Sequence, residues 1–126
     1  MNTEAVRSLF KREFGQLAEK FTIFEVSVDQ AKESREPDIS HPGVYVWWHP
    51  DRKVVKVGRH LTNSRKRALE HLTDNTGGIM AALERDKATR LLLFNVKNLE
   101  DHHWVAALEI FFENKLHPAV ASDRLG

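Results

Sequence analysis

The chain has 126 residues, 41% of them hydrophobic and 29% charged, a balance that fits one ordinary globular unit with a proper core. There are no cysteines, which excludes disulfides and thiolate metal sites. The net charge is only +1, so any affinity for nucleic acid has to come from a local patch rather than from the whole chain.

Residues 3–20 predict an amphipathic helix, with Val6, Leu9, Phe10, Phe14, Leu17 and Phe21 recurring at helical spacing. The stretch Phe21–Val28 predicts a strand, and the polar run Asp29–Pro42 a loop. Residues 1–42 are expected to form a helix–strand extension that packs on the rest and adds an edge strand. The start of the chain, MNTEAVRSLFKREF, lacks the apolar run of a signal peptide, and no stretch approaches the roughly 20 apolar residues of a membrane span. A cytoplasmic protein without membrane contact is the expectation.

Two runs rich in Val, Trp and Tyr, Gly43–Trp48 and Lys53–Val57, flank His49-Pro50-Asp51-Arg52 and predict an antiparallel hairpin. With those four residues as the loop, Tyr45 faces Lys56, Val46 faces Val55 and Val44 faces Val57. Val44, Val46, Trp48, Val55 and Val57 then share the core face, and Tyr45, Trp47, Val54 and Lys56 share the other. Taken by itself, a Tyr–Lys pair of this kind belongs on a solvated face.

Asn63 or Ser64 is placed to cap a basic helix, Arg65–Leu72, on which Arg67 and His71 share a face. Residues 43–78 hold 7 basic and 3 acidic side chains, whereas the segments on either side are net negative. A positive patch of this kind suits a phosphate backbone, although solvated helix faces also carry such runs. Thr73–Gly78 predicts a turn, Ile79–Asp86 a short helix and Arg90–Val96 a buried strand. The last helix, about Asp101 to Leu116, is stopped by Pro118, and Glu109 falls at the edge of its apolar stripe. A carboxylate there is costly unless it is paired or bound to a metal.

The ordered set Gly43-Val44-Tyr45, ten residues, then Lys56-Val57-Gly58, followed by Arg67, His71, Glu109 and Pro118, resembles the GIY-YIG nuclease domain over Gly43 to Ala121. Lys56 stands where the second name-giving tyrosine usually stands, and Ala121 where many members have an asparagine. The resemblance implies an α+β fold for residues 43–126: a small, mainly antiparallel three-stranded sheet flanked by helices. It also implies an endonuclease that hydrolyses DNA phosphodiester bonds with Mg²⁺ or Mn²⁺. In that reading Glu109 holds the metal and Arg67 clamps the scissile phosphate. Tyr45, helped by Lys56, orients or deprotonates water, and His71 shares the base role. Arg59, His60, Arg65 and Lys66 contact the substrate. Because Ala121 replaces the asparagine, a catalytically weak nucleic-acid-binding module of the same fold is the alternative. In either case sequence specificity has to come from residues 1–42, a homodimer or a partner protein.

Overall fold

A computed structural model of the chain describes residues 1–73 and 78–120. The predicted Thr73–Gly78 turn therefore lies largely outside the described residues, as does Ala121. The fold is α+β. Strands β1 (Phe21–Val26), β2 (Gly43–His49), β3 (Lys53–His60) and β4 (Arg90–Val96) form one antiparallel sheet in the order β1-β4-β2-β3. The extra N-terminal strand is at the edge, as expected, and Arg90–Val96 is a buried inner strand.

Among the described residues, five α-helices cover the sheet: α1 (Thr3–Phe14), α2 (Val28–Glu33), α3 (Ser64–His71), α4 (Ile79–Arg85) and α5 (His103–Leu116). Val6 and Phe10 of α1 and Val105, Leu108 and Phe112 of α5 pack with Val44, Val46, Leu92 and Phe94 on one face. Val28 and Ala31 of α2, Ala68 of α3, and Met80 and Leu83 of α4 pack with Tyr45, Trp47, Leu91 and Leu93 on the other. Both faces are therefore dry, which explains why GVYVWW and RLLLFNV read as unbroken apolar runs. It also corrects the expectation of a solvated Tyr45 face: Tyr45 and Trp47 are fully buried and Lys56 is buried with them.

Other boundaries moved for local reasons. The first helix ends at Gly15, whose φ of 54° is a left-handed value that suits glycine, and a 3-10 stretch continues to Lys20. Inside the predicted loop, Val28–Glu33 forms α2. Its start is fixed by a reciprocal cap in which the Ser27 hydroxyl accepts from Gln30 N–H and the Gln30 side chain accepts from Ser27 N–H.

The hairpin register differs from the predicted one by two residues. The loop is Pro50–Arg52, followed by Lys53 at φ 61°, so His49 pairs with Lys53 and Trp48 with Val54. A bulge between Trp47 and Trp48 then adds a second slip, so Trp47 pairs with Lys56 and Tyr45 with Gly58. A single slip flips every side chain to the other face, but two slips cancel. Tyr45 and Lys56 thus share a face as expected, yet they are diagonal neighbours rather than a directly opposed pair. Val54 and Val55 exchange places, Val54 joining the Val44 side and Val55 the Tyr45 side. The bulge also presents two successive carbonyls to one neighbour. Ala119 N–H donates to Val54 O at 3.2 Å and Val120 N–H to Val55 O at 2.8 Å, so the chain after Pro118 runs against β3. An unbulged strand turns successive carbonyls opposite ways.

One polar pair ties the hairpin tip to the end of α4. His49 Nε2 lies 2.6 Å from Asp86 Oδ2, and Ala88 N–H also donates to Asp86 at 2.8 Å. Ala88 N–H first, and the His49 ring second, hold the Asp86 carboxyl below the ordinary carboxylate range. A depressed carboxylate stabilises the fold above its unfolded pKa of about 4, and that stabilisation is lost as pH falls through the folded value. The Tm advantage of the parent over Asp86→Asn should therefore be full at pH 6 and disappear in thermal scans at the acid end. A difference between the two proteins that does not change with pH would contradict this account of the pair.

Candidate active site

The tyrosine pocket is built by a glycine. Gly58 faces Tyr45 across the hairpin, and a Cβ at Gly58 would sit 2.2 Å from both Cζ and Oη of Tyr45. Only glycine leaves room for that ring. The tyrosine hydroxyl is hydrogen-bonded to His71 Nδ1, with Nε2 at 3.5 Å, and the two rings meet edge-on with centroids 5.4 Å apart. Tyr45 is buried whereas His71 is half-buried, so the histidine is the member of the pair that reaches solvent. Lys56 is buried beside them on the same face, directly across from Trp47.

Helix α3 is capped locally and tied to this face of the sheet by two side-chain contacts. Asn63 caps it, accepting from Lys66 N–H at 3.0 Å, as the sequence predicts. Trp47 Nε1 donates to Ala68 O at 3.1 Å. Ser64 Oγ donates to Asn95 Oδ1 at 2.6 Å, while Asn95 Nδ2 donates to Asp38 O and Ile39 O at 3.0 and 3.1 Å. Gly43 makes this last junction fit, since a Cβ there would lie 2.0 Å from Asn95 Oδ1. Ser64, Asn95 and Gly43 are thus positioning residues for Arg67 and His71. Sequence reasoning named Ser64 only as a possible cap and left out Asn95, although a lone asparagine in RLLLFNV signals a buried amide that needs partners.

The four expected substrate contacts divide into two pairs. Arg65 is spent on the fold: its guanidinium donates to Ser34 O and, at 3.1 Å, to Ser40 Oγ. Arg59 pairs with Glu109, Nε to Oε1 at 3.6 Å. His60 and Lys66, by contrast, line an open pocket of about 230 Å³ together with Thr62, Asn63, Arg67 and Glu70. Arg67 Nη1 lies 3.5 Å from Glu70 Oε1, one turn along the helix.

Glu109 is buried, at 2% exposure, which agrees with its place at the edge of the apolar stripe. Arg59 opposes Val44 in the register, so Arg59 and Glu109 belong to the α5 side of the hairpin. Tyr45, Lys56 and His71 belong to the α3 side. The two groups lie on opposite faces of the hairpin, and the neighbouring β3 residues Arg59 and His60 point to the two sides. Among the described residues, no group of three or more His, Asp or Glu side chains could hold a metal.

No protein family, curated protein or solved structure matches the chain. No helix among the described residues is long and apolar enough to cross a membrane.

Proposed function

We propose that this chain is a metal-dependent nuclease of the GIY-YIG type, acting on DNA phosphodiester bonds. The observation that carries the reading is the Tyr45–His71 hydrogen bond, seated in space that only Gly58 leaves, with Arg67 one turn before His71 on the basic helix α3. That arrangement joins a proton acceptor to cations able to hold a phosphate.

In this reading Arg67 clamps the scissile phosphate with its forked donors. His71 takes the proton from the attacking water, and Tyr45 fixes the orientation of the imidazole through its hydroxyl. Lys56 supplies positive charge beside the pair. Glu109 is the residue that would hold Mg²⁺ or Mn²⁺, with Arg59 holding the carboxylate in place. A bound divalent ion supplies charge stabilisation at phosphorus and at the leaving oxygen. Specificity would come from residues 1–42, a second copy of the chain or a partner protein.

The Arg59–Glu109 pair also favours a second reading, a binding module of the same fold that does not cut. In that case the carboxylate is a structural partner for Arg59 and nothing more.

Arg67 variants test the clamp. Arg67→Ala should lower cleavage by about 10²–10³-fold and reduce the salt slope of DNA binding by about 1. Arg67→Lys should restore the salt slope but not cleavage, because a point charge lacks the bidentate fork. Parental cleavage by Arg67→Lys would show that a positive charge alone suffices.

A further inference from the structure

We propose that the pocket lined by His60, Thr62, Lys66 and Arg67 seats one phosphate group of a nucleic-acid strand, with His60 serving as a neutral hydrogen-bond donor. The proposal rests on the nucleic-acid reading above and assigns a specific contact within it.

The tautomer follows from the hydrogen bonds. Asn63 N–H lies 3.1 Å and Thr62 N–H 3.3 Å from His60 Nδ1. A backbone N–H can only donate, so Nδ1 is an acceptor and the ring proton sits on Nε2. The Thr62 hydroxyl, 2.9 Å from the same Nδ1, donates as well and leaves its oxygen lone pairs as acceptors only. His60 therefore turns one nitrogen to its own loop and keeps the Nε2–H as its donor for the pocket it lines.

The rest of the lining fits a single anion. Lys66 is exposed and brings its ammonium to the rim of the pocket. Arg67 brings a second cation, and Glu70, beside Arg67 Nη1, brings the opposing charge. A volume of about 230 Å³ accepts a phosphate and its linking oxygens but not a stacked base pair. The opposing Glu70 charge disfavours a loosely held free anion and leaves the tether of a bound strand to supply the remaining affinity.

The test is a titration of isotope-labelled protein with the dinucleotide pTpT, without metal, following the ring nitrogens of His60 by NMR. The His60 Nε2 signal should shift saturably. His60→Asn keeps an acceptor oxygen near the place of Nδ1 but loses the Nε2–H donor. It should weaken pTpT binding about tenfold, with the Thr62 and Asn63 amide signals retained. Lys66→Ala should weaken it by a similar factor and lower the salt slope on longer DNA by about 1. An unmoved His60 ring, a parental Kd in both variants, or inorganic phosphate binding as tightly as pTpT would overturn the assignment. Plasmid nicking measured on the same proteins separates the two claims. Binding of pTpT without nicking upholds the seat and ends the nuclease reading, whereas nicking with a silent His60 does the reverse.

Discussion

Glu109→Gln should abolish metal-dependent cleavage while DNA binding persists. Glutamine has nearly the same shape and keeps one oxygen, but it lacks the charge that holds a hard divalent cation. A loss of at least about 10²-fold is expected, comparable to removing one transition-state stabiliser. DNA affinity should stay close to parental, because Glu109 is not among the residues that line the pocket of His60, Lys66 and Arg67. The same substitution should also cost stability. From the sequence, an inward carboxylate without a partner looks unfavourable, so its neutralisation would be harmless or even stabilising. The ion pair with Arg59 reverses that sign. Removing one member of a buried pair typically costs about 3–5 kcal/mol. Here the Arg59 side chain is 21% exposed and the separation is 3.6 Å, so the lower figure of about 1–3 kcal/mol is appropriate. Chemical denaturation of both proteins reads this directly. A variant as stable as the parent would mean that the pair contributes nothing to the fold.

Gly58→Ala should damage fold and site together. The added methyl would lie 2.2 Å from Cζ and Oη of Tyr45, and the clash falls on the end of a ring that is 1% exposed. Lys56 and Trp47 lie on the same face of the hairpin, so the ring has little room to swing aside. Overpacking of this kind costs about 1–3 kcal/mol, equivalent to a fall of several degrees in Tm. Because the hydroxyl bonded to His71 moves with the ring, cleavage should fall further than stability alone explains. Tyr45→Phe in the Gly58→Ala background separates the two effects, since it removes the oxygen at 2.2 Å and should recover part of the stability but none of the activity. Equal stability of Gly58→Ala and the parent would show that Tyr45 is not confined as described.

The fold was legible where periodicity decides it. The strand Arg90–Val96, the helix start at Asn63 and the apolar stripe Val105–Leu116 follow from spacing and capping chemistry alone. The hairpin register was not legible. It depends on a left-handed Lys53 and on a bulge at Trp47/Trp48, and neither position carries a glycine to announce it. The dry second face was hidden for a different reason. Its cover comes from α2, α3 and α4, short helices whose apolar residues are few, so no single segment betrays the layer. The shared face of Tyr45 and Lys56 and the inward position of Glu109 could be read from the order of residues along the chain. The partners that decide their chemistry could not. Arg59 meets Glu109, and Ser64 meets Asn95, only through the register and the packing of α5 and α3. Arg65 is the reverse case: part of a basic run, it is consumed by the loop carrying Ser34 and Ser40.

The most direct measurement is the nicking of supercoiled plasmid by the purified chain, with Mg²⁺ or Mn²⁺ and with EDTA, alongside Tyr45→Phe and His71→Ala. The account predicts open-circular product that requires the metal, is absent with EDTA and falls sharply in both variants. No product from any DNA form with either metal, or nicking that is unchanged in Tyr45→Phe and His71→Ala, would contradict it.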